Sequence, residues 1–262
     1  MIERKDSVAV AYVCDNTVIY SWVRSMFELL EYDTATSGRV HAGGHIAMRC
    51  GTDGLVAARN EAVRNFLKYE RADWLFWVDT DMGFAPDTVD RLLEAADPVE
   101  RPIVGGLCFS QREDEADQLG GFRCTATPTV FDWAQVEGQY GWQVRWNYAP
   151  NALTQVGGTG AACILIHRSV FEKIEAKHGQ VWYDRVPNTT TGQLIGEDLS
   201  FCLRAGALQI PIYVHTGVPT THFKHLWLGE QDYWQQVALR SAQDEISAQL
   251  SAADSEAEPV AS

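Results

Sequence analysis

Trp74-Leu75-Phe76-Trp77-Val78-Asp79-Thr80-Asp81-Met82-Gly83 decides how the rest of the chain reads. Five consecutive bulky apolar residues are too few for a globular helix and rich in β-favouring types. They read as a strand covered on both faces. The run ends abruptly in the acidic triplet Asp79-Thr80-Asp81. Alternation along an extended strand predicts that both carboxylates point one way and Thr80 the other. Open α/β sheets bind ligands beyond the carboxyl ends of their parallel strands, where this reading places the triplet.

Working outward toward the N-terminus, Ser7 to Cys14 is a second apolar run, ended by the turn-prone Asp15-Asn16. A helix is expected from about Thr17 to Leu30, with Val18, Trp22, Met26, Leu29 and Leu30 on its apolar face. From Arg39 to Arg49 the pattern is mixed and Gly-rich, and a short strand followed by a loop is expected. Thr52 or Asp53 would cap a helix running to about Tyr69.

Toward the C-terminus, Pro86 suits the first position of a helix through Leu92 and Leu93, and Ile103 to Cys108 reads as a buried strand. Ser110 to Gln155, rich in turn residues and aromatics, suggests antiparallel hairpins or a long loop. Ala161 to Ile166 returns to strand and Ser169 to His178 to helix. A helix then follows from Gly196-Glu197-Asp198 through Ala205, and Pro211 to His215 is the final strand. Strands alternating with helices predict an α/β fold, with a mostly parallel central sheet and helices on both faces. The domain would span residues 1–228, with 110–155 as a small antiparallel or loop insertion. A C-terminal helix over 229–250 and a disordered tail over 251–262 complete the expected organisation.

At 262 residues the chain is long enough to bury a sizeable core. A net charge of −14 argues against a broad phosphate-binding surface and so against general nucleic-acid binding. Part of that charge lies in Asp244, Glu245, Asp254, Glu256 and Glu258, which no later Lys or Arg balances. An anionic ligand would therefore need local arginines or a divalent cation. Cys14, Cys50, Cys108, Cys124, Cys163 and Cys202 form no C-x-x-C pair. A disulfide framework is not expected, and a reducing compartment fits. Mixed charge over Met1 to Asp6 and the lack of a long apolar run predict a cytoplasmic protein with no membrane span.

Three places carry candidate chemistry. Asp79 and Asp81 at a strand end suit a divalent cation and sugar or ribose hydroxyls. Glu197 and Asp198 open a helix, where the macrodipole favours acids and would keep a general base ionised at some cost in basicity. His222 in Thr220-Thr221-His222, or His225 three residues on, offers an imidazole for Mn²⁺ beside carboxylate and phosphate oxygens.

The order of these elements resembles the GT-A glycosyltransferases, in particular family-2-like members of bacterial and phage genomes. Ala58-Arg59-Asn60, Trp74 to Phe84, Gly158-Thr159-Gly160-Ala161, Gly196 to Phe201 and His222 carry the resemblance. It covers most of residues 7 to 225, and Ser110 to Gln155 departs from it. The resemblance implies a GT-A (Rossmann-like) fold. It also implies metal-dependent sugar transfer from a nucleoside-diphosphate donor, UDP- or GDP-linked, to an acceptor hydroxyl, with Mn²⁺ or Mg²⁺ as cofactor. By that resemblance Asp81 and His222 hold the metal and donor diphosphate, and Asp79 and Thr80 contact the donor together with Asp15. Arg59 lies near the base or diphosphate, and Gly158, Thr159 and Gly160 let backbone approach the donor sugar. Asp198, with Glu197 beside it, faces the acceptor, which is a glycan, a protein or a small molecule; DNA suits the acidic chain less well.

Three rival readings are weaker. A sugar-nucleotidyltransferase needs a Gly-rich phosphate loop after its first strand, where Cys14-Asp15-Asn16-Thr17 stands. A non-catalytic sugar-binding module would use the aromatics from Trp133 to Tyr148 but leaves both acidic motifs unexplained. A DNA-base glycosyltransferase is disfavoured by the net charge.

Overall fold

The computed structural model describes residues 6–116, 121–136, 138–188, 192–226 and 229–257. The chain begins β1 (Val8–Cys14), α1 (Tyr20–Ala35), α2 (Arg39–Gly43), β2 (His45–Arg49), α3 (Gly54–Tyr69) and β3 (Trp74–Val78). It continues with β4 (Met82–Gly83), α4 (Thr88–Ala95), β5 (Ile103–Leu107), β6 (Phe109–Ala116), β7 (Phe122–Pro128), β8 (Val130–Val136) and β9 (Gln139–Val144). Next come β10 (Leu153–Val156), β11 (Gly158–Thr159), β12 (Cys163–His167), α5 (Arg168–His178), β13 (Val186–Pro187) and β14 (Leu194–Ile195). The last elements are α6 (Glu197–Ala207), β15 (Ile212–Pro219), β16 (Thr221–His222) and α7 (Glu230–Ala257).

Strand alternation sorts the apolar residues into two cores. Ala9, Ala11, Leu75 and Trp77 face one core, and Val8, Val10, Trp74, Phe76 and Val78 face the other. α3, α5 and α6 cover the first through Phe66, Phe171 and Phe201. α1, α2 and α4 cover the second through Leu29, Val40 and Leu92. The seven-stranded sheet has the order β10-β15-β5-β12-β3-β1-β2. β1 is parallel to β2 and β3, and β5 is parallel to β15. β12 runs antiparallel between β3 and β5, and β10 is an antiparallel edge on β15. The sheet is thus mostly parallel with helices on both faces, as the alternating pattern predicts.

Several local expectations are corrected. α1 starts at Tyr20, and it buries Trp22, Ser25, Leu29 and Asp33. Val18 is exposed because it precedes the helix, and Leu30 because it lies off the stripe that α1 turns toward the sheet. The Arg39 to Arg49 stretch forms a short helix and then a strand, not a strand and then a loop. Distant groups decide this: the Asp33 carboxylate accepts the Val40 and His41 amides at 3.0 and 2.9 Å, satisfying the first turn of α2. Gly43 then lets α2 press against β1, where an added Cβ would stand 2.0 Å from the Val8 carbonyl oxygen. Pro86 lies in the turn before α4, and the final strand extends to Pro219.

The Ser110 to Gln155 stretch forms the hairpins β6–β7 and β8–β9, and β11 adds to β8. α7 runs past Leu250 to Ala257, into the small and acidic segment expected as tail; residues 258–262 lie outside the described residues. Two compact units emerge: Met1–Ser110 with Ala126–Phe223, and Gln111–Thr125 with Lys224–Ser262. The first holds the seven-stranded sheet and every candidate site residue except His225, which falls in the second. The second holds the outer part of the β6–β7 hairpin and α7. None of the six cysteines is in a disulfide, and among the described residues no helix is long and apolar enough to cross a membrane.

Candidate functional site

The acidic triplet sits just past β3, but the strand does not continue through it. The Asp79 amide donates to the Ala162 carbonyl (3.0 Å), and the Met82 amide folds back onto the Asp79 carbonyl (3.2 Å). The expected alternation of Asp79, Thr80 and Asp81 is therefore replaced by a turn, and the two carboxylates are held by different partners. Asp79 Oδ1 accepts from Arg59 Nη2 at 2.9 Å, whereas Asp81 Oδ2 lies 2.9 Å from His222 Nε2. Thr80 contributes its carbonyl, which accepts the Ile19 amide and ties the start of α1 to the triplet.

Arg59 is buried, unlike an ordinary helix arginine. Its side chain is 3% exposed, its guanidinium lies 5.0 Å from the Trp77 ring centre and 5.8 Å from that of Tyr183, and Glu197 Oε1 is 3.8 Å from Nε. Burial opposes the charge, but Asp79, Tyr183, Glu197 and Asp198 outweigh it and hold the guanidinium above its usual range. So enclosed, Arg59 has no open face toward a ligand, and its influence passes through Asp79 and Glu197. Nε and Nη1 have no hydrogen-bond partner.

Tyr183 was not singled out from sequence, and neither was the clamp that holds it. Asn60, one residue after Arg59 on α3, accepts the Trp182 and Tyr183 amides at 3.0 Å and donates to the Tyr183 carbonyl at 2.8 Å. Ser200 Oγ on α6 accepts the Asp184 amide. The aromatic doublet Trp182-Tyr183 just ahead of an acid was the available signal.

Asp198 sits in the first turn of α6, where Oδ1 accepts the Leu199 amide at 2.7 Å. It keeps some contact with solvent, yet protein atoms surround most of the carboxyl. Burial first and the neighbouring Glu197 second push its pKa up to about 6, against the pull of the Leu199 amide and Arg59. The helix terminus was expected to keep this acid ionised and weakly basic; desolvation beside a like charge wins instead.

Gly160 lies against that carboxylate, since a Cβ there would stand 3.5 Å from Asp198 Oδ2. The neighbouring residues are packed rather than open. A Cβ at Gly158 would strike the Trp142 ring at 2.9 Å, and Thr159 is buried with its hydroxyl on the Thr129 carbonyl at 2.7 Å. Asp15 is exposed just past β1, where its neighbour Asn16 accepts from Arg49 at 3.0 Å.

β16 brings His222 to Asp81 by pairing with β4, His222 opposite Met82. His222 Nδ1 is 2.6 Å from the Phe109 carbonyl oxygen, which only accepts, so Nδ1 carries a proton. A neutral ring then presents a lone pair at Nε2 toward a carboxylate oxygen 2.9 Å away. Two acceptors at that distance need a second ring proton or a cation between them. Anchoring the distal nitrogen on a carbonyl is how metal-binding imidazoles are commonly oriented. Among the described residues no group of three or more His, Cys, Asp or Glu side chains forms a metal site. The pair fits a cation that takes its remaining ligands from phosphate and water.

The chain matches no protein-family model, and no curated protein is similar to it in sequence. Among solved structures it is similar to GalNAc-T7, crystallised with UDP, GalNAc and Mn²⁺. The identity is 10% and the TM-score 0.53, over 84% of this chain and 44% of that one. It is also similar to A197 from STIV, at 14% identity and a TM-score of 0.48, over 84% of this chain and 86% of that one. The likeness to GalNAc-T7 shows a glycosyltransferase-like fold.

Proposed function

We propose that the chain is a metal-dependent glycosyltransferase, moving a sugar from a nucleoside-diphosphate donor, UDP- or GDP-linked, to an acceptor hydroxyl. The observation that carries this reading is the Asp81–His222 pair, a carboxylate oxygen and an imidazole nitrogen 2.9 Å apart beside the end of the central strand. Asp81 and His222 would hold Mn²⁺ or Mg²⁺, and the donor diphosphate would complete its coordination. When bound, the cation would offset negative charge developing on the leaving diphosphate.

Asp79 contacts the donor from a position set by Arg59. Asp15 and Thr80 border the donor side, and Gly160 keeps the backbone slim next to Asp198. In an inverting reaction Asp198 takes the acceptor's proton as the new carbon–oxygen bond forms. The sugar–phosphate bond breaks at the same time, its electron pair leaving with the diphosphate. A pKa near 6 makes Asp198 a stronger base than an ordinary aspartate while leaving it ionised at neutral pH.

The test is a thermal-shift series with UDP and GDP, each in Mn²⁺, in Mg²⁺ and in chelator. Binding raises the melting temperature by mass action, so a shift is expected only when nucleotide and metal are both present. Equal shifts in metal and in chelator would remove the metal from the proposal.

A further inference from the structure

We infer that a second site, away from the acidic centre, binds a neutral saccharide between the β8–β9 hairpin and the C-terminal half of α6. A cavity of about 630 Å³ opens there, within the size range of small-ligand sites. Trp133 and Trp142 form one wall, Gly206 and Gln209 another, and Gln155 stands at the side.

The lining chemistry selects the ligand. On a chain of net charge −14, no charged side chain among the described residues lines this cavity. Trp133 and Trp142 are cross-strand partners with rings 5.0 Å apart, and Tyr140 lies two pairs along on the same hairpin face. The Trp133 and Tyr140 rings are 6.4 Å apart and within 19° of parallel, and they are 41% and 56% exposed. The stacked, partly exposed rings offer an apolar face suited to the C–H face of a sugar ring, with the Gln155 and Gln209 amides available for hydroxyls. An apolar peptide would leave those amides unpaired, and a charged ligand would find no counter-charge.

Gly206 is the independent sign that this space is kept open. It is the penultimate residue of α6, has no left-handed backbone, and a Cβ added there would meet nothing within 4 Å. Neither a turn nor a close approach requires glycine, a poor helix former, at this position. Its effect is to leave the cavity wall flat. Asp198, Cys202 and Gly206 recur every four residues, so the cavity lies along the same stripe of α6 as the acidic centre. At two helical turns, roughly 12 Å separates the two positions, a span of more than one sugar unit.

The test is calorimetric titration of the full chain with maltohexaose, cellohexaose, mannohexaose and chitohexaose, in chelator and without nucleotide. Binding is thus read independently of sugar transfer, and either reading can fail alone. At least one neutral hexasaccharide is expected to bind. Trp133→Ala is expected to weaken it roughly tenfold through loss of the stacking face. Gly206→Leu, which fills the cavity from a position with room for a side chain, should abolish it while the melting temperature is kept or raised. Failure of all four saccharides to bind, or unchanged affinity in Gly206→Leu, would overturn the inference. So would tighter binding of a sulfated hexasaccharide, or displacement by UDP, which would make this cavity part of the donor site.

Discussion

Arg59 Nη2 stands 2.9 Å from Asp79 Oδ1, with the arginine side chain 3% exposed and the aspartate 31%. This pair joins a helix of one face to the end of the central strand, and it separates the two acids of the triplet into unlike roles. Asp79 balances a buried charge. Asp81 belongs to the imidazole of His222.

The first expected outcome follows from that division. Asp79→Asn leaves the guanidinium with Glu197 at 3.8 Å as its nearest carboxylate, and a buried charge that loses its partner is costly. A loss of about 2–3 kcal/mol is expected, below the fully buried range because water reaches Asp79. Asp81→Asn, at a partly exposed position, should cost under about 1 kcal/mol. Urea unfolding of both variants measures the difference; equal midpoints would dissolve the distinction.

The proposed metal pair makes a second prediction. Asp81→Ala should lose sugar transfer, donor hydrolysis and the metal-dependent thermal shift, while circular dichroism stays that of the parent. His222→Ala should do the same, because in the proposed site it would supply one of the two protein ligands found among the described residues. Near-normal turnover in Asp81→Ala with metal present would exclude it as a ligand.

Asp198 links stability to chemistry. Its carboxyl holds a proton more tightly in the folded chain, at about 6, than at the ordinary 3.8. Folding therefore gains from the protonated form below about pH 4, and that gain is lost as pH rises through 6. Asp198→Asn, which cannot ionise, should be more stable than the parent by about 2–3 kcal/mol at pH 7 and equal to it near pH 3.5. Its turnover should fall roughly a hundredfold or more, and the parent's rise in rate through pH 6 should disappear. Denaturant melts at the two pH values and a pH–rate profile read both effects. Unchanged turnover would leave Asp198 as a helix-terminal acid and remove the acceptor side of the mechanism.

Gly43 tests the packing of α2. A Cβ there would lie 2.0 Å from the Val8 carbonyl oxygen and 2.7 Å from the Ala9 nitrogen, both backbone atoms of a central strand. Neither can swing aside, so Gly43→Ala should destabilise by about 2–4 kcal/mol. Gly206→Ala, with empty space around its Cβ, serves as the control and should not destabilise. A melting temperature for Gly43→Ala within a degree of the parent's would refute the close approach.

Period and run length are local properties, and they carried far. Trp74 to Val78 read as a buried central strand because no other element accommodates five bulky apolar residues ended by acids. The alternating strands and helices sufficed for a mostly parallel sheet covered on both faces. The candidate residues were chosen by type and order, because the metal binding and proton transfer proposed for them would restrict which side chains serve.

What tertiary structure alone decided is which group meets which. α2 forms because Asp33, on the preceding helix, satisfies its first amides and Gly43 fits onto β1. The triplet's carboxylates part company because a turn at Asp79 replaces the strand, leaving Arg59 to take one and His222 the other. The pKa of Asp198 rises where a helix terminus alone would lower it, since enclosure beside Glu197 outweighs one amide hydrogen bond. Gly43 against Val8, Arg59 on Asp79 and His222 on Asp81 are pairs far apart in the chain, and the strength of a charge or hydrogen bond depends on distance and on how much water is excluded.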